Sequence, residues 1–156
     1  MKQKQHIVEL YEQTIDWVKR LGDLSEEQWR IPVAPGKWTI AEVVGHFTPW
    51  DTFVLEQRLP YFCTGCTLPP SPNIDETNRL ASEKSKVKTK EELIISFVTT
   101  RAQLIAAINE IPNEYWDSSL NLKSKEITLT DYFLGLLDHD DRHFKEIREA
   151  LRKVEK

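Results

Sequence analysis

Leu136-Leu137-Asp138-His139-Asp140-Asp141-Arg142-His143-Phe144-Lys145-Glu146-Ile147 sets two imidazoles four residues apart in a segment that is otherwise helical. At spacing i and i+4 both rings leave one helix face. Four residues climb about 6 Å along the axis, a gap that two inward-leaning rings can close around one ion with metal–nitrogen bonds of about 2 Å. The pair is a clamp of two ligands that lacks a third. Alone it is a weak signal, because capping, salt-bridged or core histidines account for most such pairs. Of the other two histidines, His6 lies near the N-terminus, and His46 ends the run Thr39-Ile40-Ala41-Glu42-Val43-Val44-Gly45-His46. His46 is the candidate third ligand.

On either side, Phe133, Leu136, Leu137, Phe144, Ile147, Leu151 and Val154 bracket the clamp at helical spacing. Thr128-Leu129-Thr130-Asp131 opens that helix, which the pattern carries to about Lys153. Near the start of the chain, Ile7, Leu10, Tyr11, Ile15, Trp17, Val18 and Leu21 define a first long helix, with Gly22 in the place of a C-terminal cap. Ser25-Glu26-Glu27-Gln28 is a capping box that opens one short helical turn ending near Trp29. Thr39-Ile40-Ala41-Glu42 and Thr89-Lys90-Glu91-Glu92 are two more, each opening a long helix; the second of these runs until Pro112. Pro49 falls inside the His46 helix and is expected to kink it. Between Pro60 and Lys88 the pattern weakens into a long connection. Asn73 to Lys86 is expected to form a helix within it, crossing the bundle's end as part of a lid. No period-2 alternation is convincing, so no strand is expected. Four long amphipathic helices imply an all-α, four-helix bundle, in which sites are built from side chains on facing helices.

With 156 residues the chain is expected to be one domain, spanning 1–156, and large enough to bury a full core. Its net charge is −4, with Lys and Arg scattered among Asp and Glu, which argues against a nucleic-acid partner. No apolar run approaches the roughly 18 to 20 residues that span a bilayer, and the polar start resembles no signal peptide. The expectation is a soluble cytoplasmic protein with no membrane partner. Cys63 and Cys66 form a lone Cys-Thr-Gly-Cys in a loop-like region. Without a second cysteine pair or a thioredoxin-like context they read as incidental surface thiols.

His46 follows Val43 by three and precedes Trp50 by four, so its ring projects beside the buried stripe of its helix. Three imidazoles leave positions open for water or substrate, an arrangement associated with catalytic zinc and acceptable to nickel, iron or manganese. Trp50, Phe53 and Tyr132 fall on the histidine sides of their helices and are candidates to wall a pocket, though each also reads as an ordinary core aromatic. Glu42 is assigned to capping. Asp138, Asp140 and Asp141 are expected off the histidine face, as solvated charges or salt-bridge partners.

These residues resemble a known family. Pro35-Gly36-Lys37-Trp38-Thr39-Ile40-Ala41-Glu42-Val43-Val44-Gly45-His46 with Trp50-Asp51 resembles the second-helix motif of the DinB-like (YfiT-like) metal-dependent enzymes. His139-Asp140-Asp141-Arg142-His143-Phe144-Lys145-Glu146-Ile147 is similar to the family's last-helix motif, and Ile74-Asp75-Glu76-Thr77-Asn78 to the run that opens its middle segment. The resemblance implies an up-down-down-up topology with a long crossover connection, commonly in a homodimer. It implies a divalent metal on His46, His139 and His143; zinc or nickel is expected first and iron or manganese next. It also places an acid at Asp51, a candidate to support the ligands or transfer a proton. The sequence departs from the family at Pro49 and at Arg142, where an extra histidine is frequent. The activity implied is hydrolysis of a small-molecule substrate. The alternatives are S-transfer from a low-molecular-weight thiol of the bacillithiol or mycothiol type, and a non-catalytic metal-binding bundle in a stress response.

Overall fold

The computed structural model describes residues 2–65, 67–122 and 125–154. Among them run α1 (Lys2–Arg20), α2 (Glu26–Trp29), α3 (Ile40–Phe53), α4 (Ile74–Val87), α5 (Lys90–Asn109), β1 (Ser119–Leu122), β2 (Lys125–Thr128) and α6 (Leu129–Val154). The long helices α1, α3, α5 and α6 make a helical bundle. Two clusters form its interior. One gathers Tyr11, Leu104, Ile108, Trp116 and Phe133; the other gathers Val18, Trp29, Ile40, Val44, Phe97 and Ile147.

The three capping boxes set where helices begin. Ser25, Thr39 and Thr89 each accept from the third helical N–H, and Gln28, Glu42 and Glu92 each reach back to the cap. These reciprocal bonds satisfy donors that a helix start leaves orphaned. Gly22 does not cap α1: it lies in a 3-10 turn, Leu21–Asp23, and only Gly36 and Gly65 among the described glycines adopt positive φ. Helix α3 carries Pro49 within its α-helical span and then widens into a π-helical turn over Val54–Arg58.

Two expectations are corrected. The segment after Trp116 contains strands: β1 and β2 pair antiparallel, with Leu120 opposite Ile127 and Leu122 opposite Lys125. Four residues per strand carry too little alternation to register as a pattern. Helix α4 does form, capped by Asn73, whose side chain accepts from the Glu76 N–H. It packs against α3 and not across the bundle's end. Ser85 lies so close to Gly45 that a Cβ there would stand 1.8 Å from its Oγ. Ser82 donates to Glu42, and Trp50 Nε1 donates to Asn78 Oδ1 at 2.8 Å. The connection before α4 is also tied down, since Leu68 is buried and its N–H donates to Asn121 O at 2.9 Å.

Candidate metal centre

The site lies where α3 meets α6. The Thr39 capping box fixes the start of α3, and the seven residues from Ile40 through His46 are buried as the helix runs inward. His46 is 3 % exposed, between Trp38 and Phe47, whose rings lie 5.1 and 4.5 Å from its own. Its Nδ1 is 2.5 Å from the Val43 carbonyl. A carbonyl only accepts, so Nδ1 carries the proton and Nε2 keeps a lone pair; this is how ligand imidazoles are commonly oriented. On α6, His139 and His143 meet edge to face with centroids 4.7 Å apart, and their centroids lie 6.3 and 4.6 Å from that of His46. One ligating nitrogen from each ring falls within 4.8 Å of the other two.

Those distances suit a shared ion after modest closure. Nitrogens bound to one zinc at about 2.1 Å stand about 3.4 Å apart in a tetrahedral set, so the rings must approach by at most about 1.4 Å. The protonation states of His46 and His139 suit it as well. Burial, only partly offset by the Val43 carbonyl, lowers His46 to about 3, and the neighbouring His143 and His139 push the same way. His139 is also lowered, by burial first and then by His143 and Arg142. Neutral imidazoles are the form that binds a cation. His143 Nδ1 lies 2.9 Å from Glu146 Oε1, off the line of a hydrogen bond. The donor set therefore fits a divalent metal.

Beneath the histidines sits a buried charge cluster. Arg101 is 1 % exposed. Its Nε and Nη2 donate to the two oxygens of Asp51 at 2.8 and 2.9 Å, and its Nη1 donates to Asp140 Oδ2 at 2.7 Å and Thr14 Oγ1 at 3.1 Å. The guanidinium also faces Tyr11 on one side of the core and Phe97 and Phe47 on the other, at 5.2, 4.7 and 5.7 Å. Burial raises Asp140 to about 6 despite the opposing pull of Arg101. Burial likewise opposes the Arg101 charge, but Asp51 and Asp140 outweigh it and hold the guanidinium ionised.

A cavity of about 520 Å³ opens over these groups, lined by all three histidines, Asp51, Arg101 and Asp140. Trp50, Phe53 and Tyr132 line it too, with Arg58, Ser71 and Asn78. Of the acids expected off the histidine face as solvated charges or salt-bridge partners, Asp138 pairs with Arg142 at 2.9 Å on the surface, whereas Asp140 is a salt-bridge partner that is buried and lines the histidines' cavity. That corrects only where Asp140 was expected to point: it lies seven residues after Phe133 and four before Phe144, on the buried stripe itself. Asp51 hydrogen-bonds Arg101, not a histidine of the cluster. Glu42 does cap α3, and its second oxygen accepts from Ser82. Sequence reasoning missed Arg101, although an arginine standing at an apolar position between Phe97 and Leu104 was a readable signal. Cys63 is exposed and unpaired, away from the cavity lining; Cys66 lies outside the described residues.

The chain is thus a helical bundle that gathers three imidazoles, able as a set to hold a metal ion, at the edge of a lined cavity. The chain matches the DinB superfamily over residues 9–147 and belongs to it. It is similar to the solved structure of YfiT from Bacillus subtilis, a probable metal-dependent hydrolase with an unusual four-helix bundle topology. That match has a TM-score of 0.80 and 17% identity, covering 99% of this chain and 89% of that one. It is also similar to a mycothiol-dependent maleylpyruvate isomerase, with a TM-score of 0.62 and 14% identity, covering 94% of this chain and 57% of that one. At these identities the likeness is one of fold. No curated protein matches by sequence.

Proposed function

We propose that the chain is a metal-dependent hydrolase in which His46, His139 and His143 hold a divalent ion, zinc or nickel before iron or manganese. The observation that carries the reading is the convergence of three ring nitrogens within 4.8 Å of one another at the edge of a cavity. A divalent ion in that place supplies Lewis-acid activation of a nucleophile and can draw the pKa of water toward about 7. The chain's own residues do the remaining work. Val43 fixes the tautomer and direction of His46. Arg101 holds Asp51 and Asp140 beside the cavity, so that their charge faces the site while the guanidinium anchors them. In this reading Asp51 positions groups and is a weaker candidate for proton transfer, because both its oxygens bond Arg101. Trp50, Phe53 and Tyr132 exclude water and seat the substrate.

Thiol transfer is the second reading, supported by the likeness to a mycothiol-dependent enzyme; there the activated nucleophile is a low-molecular-weight thiol. The proposal extends to an up-down-down-up connectivity, one domain over 1–156, a cytoplasmic setting and a homodimer. Light scattering of the purified protein tests the last of these. No helix among the described residues is long and apolar enough to cross a membrane. The activity is tested by screening the metal-loaded protein with esters and amides, and separately with thiol plus electrophile. Turnover of one class that is lost on chelation and restored by metal is expected. Turnover that survives chelation contradicts the proposal, and none in either screen leaves a non-catalytic metal-binding bundle.

A further inference from the structure

Arg58 carries a charge that no described side chain neutralises. It is 7 % exposed, yet it takes no part in any ion pair among the described residues. Arg101, also buried, is the contrast, with a carboxylate on either side. The Arg58 guanidinium donates only to neutral oxygens: from Nε to the Pro69 carbonyl at 3.0 Å, from Nη1 to Tyr132 Oη at 3.2 Å, and from Nη2 to Ser71 Oγ at 3.3 Å. Phe53 and Tyr132 present their rings 4.9 and 5.8 Å from its central carbon. A guanidinium has five N–H groups, so two remain for a further acceptor.

The two hydroxyls add to that capacity. Because Tyr132 and Ser71 accept from Arg58, each keeps its own proton to donate, and neither finds an acceptor among the described residues. Burial raises the Tyr132 phenol despite the nearby Arg58, so that proton is retained. A buried cation without a counter-charge is costly unless something pairs with it. The residue also ends the π-helical turn Val54–Arg58, a local widening often found at functional sites. Arg58, Ser71 and Tyr132 all open on the cavity that the three histidines share.

We infer that Arg58, Tyr132 and Ser71 form a carboxylate-recognition subsite, and that the substrate is a small amphipathic carboxylate. Its anion pairs with Arg58, its apolar middle lies against Phe53 and Trp50, and its reacting group faces the histidines. A carboxylate balances the single positive charge. A phosphate monoester, near −2 at neutral pH, overcompensates it. The assignment of the reacting end rests on the proposed metal chemistry; the anion subsite stands without the ion.

Calorimetric titration of the metal-free protein separates the two, since a carboxylate can also bind a metal directly. Hexanoate is expected to bind at least about tenfold tighter than hexanamide, because a charge-assisted hydrogen bond outweighs a neutral one. Hexyl phosphate is expected to bind more weakly than hexanoate. Arg58→Met should bind hexanoate no better than hexanamide. Tyr132→Phe keeps the ring packing and should weaken hexanoate several-fold while leaving hexanamide unchanged, which carries the test if Arg58→Met does not fold. Equal affinity of hexanoate and hexanamide for the unaltered protein overturns the subsite. Tighter binding of hexyl phosphate overturns the carboxylate assignment, and an unchanged hexanoate affinity in Tyr132→Phe removes the hydroxyl from it. Hexanoate selectivity in a protein that binds no metal would overturn the metal reading alone; the converse would overturn the subsite alone.

Discussion

Replacing Arg101 by Met tests whether the buried charge cluster is a structural support of the site. The substitution removes four donated hydrogen bonds, two to Asp51 and one each to Asp140 and Thr14. It leaves two carboxylates, 7 % and 6 % exposed, facing each other without a cation. Breaking a buried pair from one side costs about 3 to 5 kcal/mol, against a total stability of about 5 to 15 kcal/mol. At about 2 to 4 °C per kcal/mol for a chain of this size, the Tm should fall by roughly 6 to 20 °C. Urea unfolding followed by tryptophan fluorescence reads the change. Adding Asp51→Asn and Asp140→Asn to the Arg101→Met background removes the stranded charge. It should recover at least about 1 kcal/mol through the coupling of residues in one network. Arg101→Lys keeps the charge but not the fork, and is expected to lose an intermediate amount. A cost below about 1 kcal/mol for Arg101→Met would mean that the cluster is dispensable to the fold.

Other outcomes follow from single contacts. Gly45→Ala places a Cβ 1.8 Å from Ser85 Oγ and should push α4 off α3. It should cost about 1 to 3 kcal/mol as an overpacking change, partly recovered by adding Ser85→Ala; a neutral Tm would contradict the close approach. In the metal-free protein His46 is depressed to about 3. Its contribution is therefore fully present above the unfolded value of about 6.5 and is lost as pH falls toward about 3. Stability measured by urea melts should accordingly decline as pH falls below about 6.5, more steeply than in His46→Gln, where this proton uptake is gone. Parallel curves for the two proteins would contradict the assigned burial.

The helix starts were legible because each depends on a local reciprocal bond that a few adjacent residues supply: Thr39 with Glu42, and Thr89 with Glu92. The three histidines were legible because i and i+4 spacing and a shared apolar face are properties of one helix at a time. What escaped depends on contacts between distant segments. Asp140 reads as one more acid in an acidic run until Arg101, 39 residues away, is seen opposite it. Arg58 stands in a stretch where the helix widens into a π turn, so a period of 3.6 misplaces it. The β1–β2 hairpin was missed because four-residue strands give period 2 almost no length in which to register. Helix α4 was expected but its placement was not, since Gly45 reveals a close approach only when its neighbour is known.

The central claim is that His46, His139 and His143 bind one ion together. X-ray absorption on protein loaded with zinc and desalted, with metal content measured in parallel, tests it most directly. One ion per chain is expected, with a shell of three imidazole nitrogens at about 2.0 to 2.1 Å, and most bound metal should be lost in each of His46→Ala, His139→Ala and His143→Ala. His6→Ala, altering an exposed residue on α1, should retain it. Metal content unchanged in His46→Ala, or a first shell without three histidine nitrogens, would contradict it.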